Sequence, residues 1–326
     1  MAELTDSVLS RFSSARFEFA EDISSYFGQR KGTHYLAWFN QTVADKSAWK
    51  GKKVLDTPAN RVGFHQFWNN IPLLFDGPAS MVQFAALMGI ISNETSGSFT
   101  PISERSGIAG HPGISYLFNA IPGLKRSYNT LSGNKTAYDC FHDAVFIQTH
   151  GALPLADRLT RTADDRWRRD AYPQTEFPTR LAAAECGFIL ETDFVKFRGR
   201  GLIQTTGRAN YLRLIRWIQT YNGENSTIDF YRTNWRDRDP DEVATESTNE
   251  DWDRLFQQSD LEVACRAIQI HSESSSRYLN LGTTAAVLNA PKETKGSLRH
   301  MGWRISGGAK YADTYYHRMV ELLSAI

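Results

Sequence analysis

One stretch constrains this chain more than any other: Lys196-Phe197-Arg198-Gly199-Arg200-Gly201-Leu202-Ile203-Gln204-Thr205-Thr206-Gly207-Arg208-Ala209-Asn210-Tyr211. Glycines alternate with arginines, and amide and hydroxyl side chains follow. Glycine supplies tight turns and lets a ligand or another strand approach the backbone closely. Arginine, glutamine, asparagine and the hydroxyls supply hydrogen-bond donors. A connecting loop has no need of all these together, so the stretch reads as a ligand-binding wall. Leu212, Ile215 and Trp217 then open a helical pattern. From Val195 to Arg216 there are six basic residues and no acidic one, which makes this the most positive part of the chain.

The surrounding sequence is globular, with 41% hydrophobic and 22% charged residues over 326 positions. The formal net charge of +1 points to neither a nucleic-acid partner nor a membrane surface. Cys140, Cys186 and Cys265 are too widely spaced for a metal knuckle or a disulfide ladder. Met1 to Asp6 lack the basic start and apolar core of a signal peptide, and no apolar run is long enough to span a membrane. The expectation is cytoplasmic synthesis without stable membrane insertion.

Helical patterns dominate. Ser10 to Phe27 is a candidate helix, Tyr35 to Phe39 and Trp49 to Val54 are apolar islands, and Phe64 to Phe75 is an aromatic segment interrupted by Pro72. These aromatics read as core. Residues 1–78 form an N-terminal extension, either packed on the catalytic core or serving as a separate module. Between 79 and 92, Met81, Phe84, Leu87, Met88 and Ile91 recur at helical spacing. Glu94 falls at the end of that helix. The C-terminal pole of a helix gives a carboxylate no help, and desolvation by an apolar face favours a carboxyl that keeps its proton. Both conditions suit a proton donor. Glu104 follows in a Gly/Ser/Pro-rich loop and is the candidate second carboxylate. An inverting glycosidase separates such a pair by roughly 6.5–9.5 Å.

Further along, Tyr138 to Phe146 suggests a helix, His142 and His150 make too small a set for zinc, and Glu191 is a candidate ion-pair partner for the arginines. Residues 229–253 are acidic and read as an exposed excursion. Asp260 is a candidate cap for a helix carrying Leu261, Ala264, Cys265 and Ile268, with Cys265 buried. The last helix carries Tyr315, Met319, Leu322 and Ile326 on one stripe. Strand signals are few, and the class is mainly α.

Three motifs in order carry a resemblance: Asn93-Glu94-Thr95-Ser96-Gly97-Ser98-Phe99 after a helix, the Arg198–Tyr211 run, and Arg304-Ile305-Ser306-Gly307-Gly308 before a terminal Tyr-rich helix. Together they resemble glycoside hydrolase family 19, closer to its bacterial and phage cell-wall-lysing branch than to plant chitinases. The resemblance covers about 80–110 and 190–326. It implies a lysozyme-like helical fold with a small β element, a catalytic domain over 79–326, an insertion around 110–190 and an acidic excursion around 229–253. It implies Glu94 as general acid and Glu104 as general base, with no metal or organic cofactor. Gln204, Thr205, Asn210 and Tyr211 would line the glycan cleft, Arg200 would support the acidic pair, and Asn280 and Arg304 are further cleft candidates. The chain departs from the family at Asn93, where histidine is usual, at Ser96 and Ser98 in place of a glycine pair, and at Thr205 in place of leucine. The loop to Glu104 is also one residue longer.

The resulting expectation is an endo-acting, inverting hydrolase of the β-1,4 linkages of bacterial peptidoglycan, its basic wall matched to peptide carboxylates. A chitinase is the enzyme alternative. A non-catalytic glycan-binding component of a phage tail or injection particle is the structural one. Delivery to the periplasm or wall would use lysis or a secretion or injection machine, and nucleic acid is not an expected partner.

Overall fold

A computed structural model of the chain describes residues 3–95, 97–103, 196–306 and 309–326. In chain order the elements are α1 (Asp6–Ser10), β1 (Arg16–Phe17), α2 (Ala20–Lys31), α3 (Tyr35–Thr42), α4 (Pro58–Trp68), α5 (Ile71–Leu74), β2 (Ala79–Ser80), α6 (Met81–Glu94), β3 (Ile102–Ser103), β4 (Arg200–Gly201), α7 (Arg208–Gln219), α8 (Ser226–Trp235), α9 (Pro240–Glu246), α10 (Asn249–Gln258), α11 (Glu262–Ser274), α12 (Ala285–Leu288), α13 (Leu298–Ser306) and α14 (Ala309–Ala325). The protein is mainly helical. Among the described residues the strands form two antiparallel pairs, β1 with β2 and β3 with β4. Among the described residues no helix is long and apolar enough to cross a membrane. The chain divides into two units, residues 1–101 with 260–326, and residues 102–259.

The first unit is built around α6. Ser80 caps it, accepting from the Gln83 amide while Gln83 Oε1 accepts from the Ser80 amide. This reciprocal pair satisfies donors that a helix start leaves open. The helix is apolar on nearly every side, and Phe84 through Ile91 are buried without a break. A helix hydrophobic all round must be wrapped by others. Phe84 meets the rings of Phe17, Phe27, Tyr35 and Trp68 at centroid distances of 5.6, 5.8, 4.9 and 4.8 Å. The N-terminal aromatics are therefore core, and residues up to 78 pack within this unit. Lys31 Nζ donates to the Ile326 oxygen at 2.7 Å, and the Leu4 amide and carbonyl both bond the Asn289 side chain.

α14 packs on α6 and on α13. Glycines permit this. A Cβ on Gly89 would stand 3.0 Å from Met319 Sδ, and one on Gly302 would stand 2.7 Å from Tyr315 Cβ. Two sequence readings change here. The expected helix over Ser10–Phe27 is α1, then β1, then the start of α2, because Phe17 is used in strand pairing. Asp260 does not cap α11. It takes φ 48°, Leu261 occupies the cap position, and Asp260 Oδ1 accepts from Gln66 Nε2 at 3.2 Å.

In the second unit α7 packs with α8 and α9, and α8 with α10. Tyr211, Trp252, Phe197 and Phe256 form its aromatic centre, with Tyr211 edge-on to Trp252 at 4.6 Å. The tract 229–253 is not an exposed excursion. It runs through α8, α9 and into α10, and buries Tyr231, Trp235, Val243 and Trp252. Its acidic residues cap helices: Asp239 starts α9, and Asp251 closes a capping box with Thr248 at the start of α10. Acidic side chains at helix starts are favoured by the dipole, which accounts for a charge pattern that resembles a loop.

Candidate functional site

Two clusters contain the sequence-selected residues, one in each unit. The first is centred on Glu94, the last residue of α6. The chain is turned sharply just after it. The Thr95 amide donates to Ile91 O at 2.9 Å, and Thr95 Oγ1 meets the Ile91 and Ser98 carbonyls at 2.8 and 2.7 Å. Gly97 takes φ 73°, and a Cβ there would lie 2.5 Å from Val54 Cγ1. Asn60, buried in α4, accepts from the Phe99 amide at 2.6 Å and donates to Gly97 O at 2.9 Å. Glu94 therefore sits on a helix end whose exit is pinned from α4.

Its carboxyl is half-buried. Oε1 accepts from Tyr315 Oη at 2.6 Å and from Asn93 Nδ2 at 2.8 Å. Asn93 Nδ2 also reaches Tyr315 Oη at 2.9 Å, and Arg318 Nη1 donates to Asn93 Oδ1. Among the described residues Oε2 has no hydrogen-bond partner. Burial, and after it the Glu94 carboxylate, push the Tyr315 phenol far up, so it is a neutral donor. Burial lowers Arg318 and Lys52, and Glu94 acts on both in the opposite direction. Tyr278 is fully buried with its hydroxyl unpartnered, and burial followed by Glu94 pushes its phenol up as well. His271, edge-on to Tyr278 at 5.5 Å, is held down to about 4 by burial and then by Arg304.

Asn280 and Arg304 belong to this unit, but neither bonds Glu94. Asn280 is exposed beyond Tyr278, and Arg304 Nε donates to Ser275 O at 2.9 Å. Glu104, along with His142, His150 and Glu191, lies outside the described residues.

The second cluster is the glycine-arginine stretch, which folds as a tight hairpin. The Arg200 and Thr205 amides and carbonyls bond each other at 3.1 and 2.8 Å. Gln204 and Gly201 take φ 55° and 85°. Gly199 leaves room for the Gln204 side chain, whose Oε1 would lie 2.7 Å from an added Cβ. Gly207, with φ 89°, starts α7. The expected turns are present.

The charge is placed differently from the sequence expectation. Arg200 is fully buried and uses all five N–H donors internally: Nε to Asp253 Oδ1 at 2.7 Å, Nη1 to Lys196 O and Tyr211 Oη, Nη2 to Asn249 O and Oδ1. Arg198 Nη2 meets Asp253 Oδ2 at 2.9 Å, and Ser103 donates to Asp253 at 2.8 Å. Burial pushes Asp253 up, but Arg200, Arg198 and the Ser103 hydroxyl outweigh it and hold the carboxyl below its ordinary range. Lys196 and Arg208 are buried too, with Arg208 3.8 Å from Asp241. Of the basic residues, Arg213 and Arg216 are the exposed ones. The stretch is therefore not a basic wall. Arg200, Tyr211 and Thr205 form its interior, and Gln204 and Asn210 are its half-buried members. Asn210 Nδ2 bonds Thr206 O at 2.9 Å.

Sequence reading missed Tyr315, Arg318 and Asp253 as site residues. Tyr315 lay on an apolar stripe and Asp253 in an acidic tract. The one available signal was that a buried tyrosine needs a partner for its hydroxyl. No protein-family model matches the chain, and no curated protein or solved structure matches it.

Proposed function

We propose that this protein is a glycoside hydrolase of lysozyme-like architecture, cleaving a β-1,4-linked amino-sugar polymer with Glu94 as the proton donor. The observation that carries the reading is the state of the Glu94 carboxyl: half-buried at a pinned helix end, one oxygen held by two donors and the other without a hydrogen-bond partner among the described residues. A proton donor needs that combination of fixed geometry and an unspent oxygen. The resemblance to glycoside hydrolase family 19 supplies the substrate class and the inverting course.

In the proposed reaction Glu94 gives its proton to the glycosidic oxygen as the bond from that oxygen to the anomeric carbon breaks. A water attacks the opposite face of the sugar, and its proton passes to a second carboxylate. Glu104 is the proposed base on the strength of the resemblance alone. Peptidoglycan remains the first proposed substrate, on the same basis. The argument from a basic wall no longer supports it over chitin, because Lys196, Arg200 and Arg208 are buried.

The test is to incubate purified peptidoglycan and chitin separately with wild type and Glu94→Gln, then to identify the new sugar ends and their anomeric form. New ends with wild type and none with the variant support the reading. Equal inactivity of both proteins on both polymers, with polymer still bound, would favour a non-catalytic glycan-binding component.

A further inference from the structure

The two residues that make Glu94 unusual here are both governed by a third. Arg318 is anchored by Nε donating to Ala48 O at 3.1 Å, and its Nη1 meets the side-chain amide of Asn93. A guanidinium only donates, so the Asn93 atom that faces it must be the oxygen. That settles which way the amide points. Nδ2 is turned to Glu94 Oε1, 2.8 Å away, and to Tyr315 Oη, 2.9 Å away. Tyr315 Oη thus accepts from Asn93, and its own proton goes to Glu94 Oε1 at 2.6 Å. Gly302 lets α13 come close enough to Tyr315 to fix the ring.

Two donors therefore converge on a single carboxyl oxygen. In a neutral carboxylic acid the oxygen that accepts two such bonds is the carbonyl oxygen, and the acidic hydrogen is carried by the other. We infer that Arg318, Asn93 and Tyr315 are positioning residues that pin Oε1 of Glu94 and direct its transferable proton to Oε2. This rests on the reading of Glu94 as proton donor. The same donors strengthen as charge appears on the carboxylate, because hydrogen bonds to an ionised acceptor are the stronger ones. They therefore favour the state after proton transfer over the state before it, which is the condition for acceleration. Asparagine at position 93 performs this task without titrating, so the frame is independent of pH in a way that a histidine there would not be.

Two nearly isosteric variants separate this from simple satisfaction of buried polar groups. Tyr315→Phe removes one hydroxyl. Asn93→Asp keeps the size of residue 93 and the acceptor for Arg318, but replaces the donor with a second carboxylate. The readouts are kcat and KM on the polymer that wild type cleaves, and the NMR chemical shift of the Glu94 carboxyl carbon in the 13C-glutamate-labelled full chain. Tyr315→Phe is expected to lower kcat about tenfold, the effect of one hydrogen bond to a charged acceptor. KM should stay within about twofold, and the Glu94 carboxyl-carbon resonance should move as one of its two donors is lost. Asn93→Asp is expected to move both further, by about a hundredfold in kcat, since it loses the donor and adds a like charge. Unchanged kcat together with an unchanged carboxyl-carbon resonance in Tyr315→Phe overturns the inference. If wild type and Glu94→Gln cleave equally, the proton-donor reading fails, and with it the catalytic half of the inference. The carboxyl-carbon resonance still decides whether Tyr315 and Asn93 hold the carboxyl, because it needs no substrate.

Discussion

Glu94 and Arg200 are both ionisable side chains in the sequence motifs that stand out most, and the structure uses them in opposite ways. Arg200 spends every donor on its own chain, with Asp253, Tyr211, Asn249 and Lys196 closing around it. Among the described residues Glu94 spends one oxygen and keeps the other. A group with nothing left over stabilises a fold, whereas a group held firmly with one atom in reserve is equipped for chemistry. The long glycine-arginine run is therefore scaffold in its arginines, and the short motif at the end of α6 is the one proposed to be reactive.

The comparison predicts a double dissociation. Glu94→Gln, nearly isosteric, is expected to reduce polymer cleavage by roughly 10²–10⁴-fold. Its denaturant midpoint should stay close to wild type, because a half-buried carboxyl replaced by its amide keeps its acceptor oxygen. Asp253→Asn is expected to do the reverse. It leaves the buried Arg200 without its counter-charge, at a cost of about 3–5 kcal/mol, read as a lowered midpoint in equilibrium unfolding. If Asp253→Asn unfolds no more easily than wild type, the assignment of Arg200 to the scaffold is wrong.

Gly97→Ala comes next in size. Its φ of 73° and the 2.5 Å approach to Val54 together predict a loss of about 2–3 kcal/mol, with cleavage falling as the exit from Glu94 is displaced. Thermal unfolding and activity measured side by side would show both.

A smaller effect follows from His271. Its folded value of about 4 lies below the ordinary 6.5, so the unfolded chain binds the extra proton first. Stability is full above about pH 6.5 and falls as pH drops from there towards 4. His271→Gln should flatten that slope in urea melts run across the interval. An identical slope in the variant would show that other groups carry it. Asp253 acts lower on the pH scale. Its depressed folded value means its contribution is complete above the ordinary carboxylate range and is lost only as pH falls through the folded value.

The smallest expected change is Thr205→Val. The Thr205 hydroxyl is buried and unpartnered, so a methyl in its place should be neutral or stabilising by up to about 1 kcal/mol. A marked drop in cleavage would return Thr205 to the glycan-contact role first read from the sequence.

Much of this was legible in the sequence, and the misses have a common cause. The periodicity of Met81, Phe84, Leu87, Met88 and Ile91 marks α6, and its end marks Glu94. The glycines of the 199–207 stretch announce tight turns, and the terminal stripe announces α14. What periodicity cannot give is the partner of a polar group. Tyr315 has the spacing of a core residue and is one, but its hydroxyl carries the interaction with Glu94. The acidic tract at 229–253 hides buried aromatics between charges that cap helices. The excess of arginine and lysine at 196–208 reads as a surface because charged residues are seldom buried. Asp253, which makes the burial of Arg200 and Arg198 tolerable, lies 53 and 55 residues beyond them, and Asp241 lies 33 residues beyond Arg208.

The most direct measurement compares new sugar ends released from peptidoglycan and chitin by wild type and by Glu94→Gln, each confirmed folded by its unfolding midpoint. Wild type is expected to release ends from at least one polymer, and the variant to lose roughly 10²-fold or more of that release. Equal release by the two folded proteins would contradict the assignment of Glu94 as proton donor.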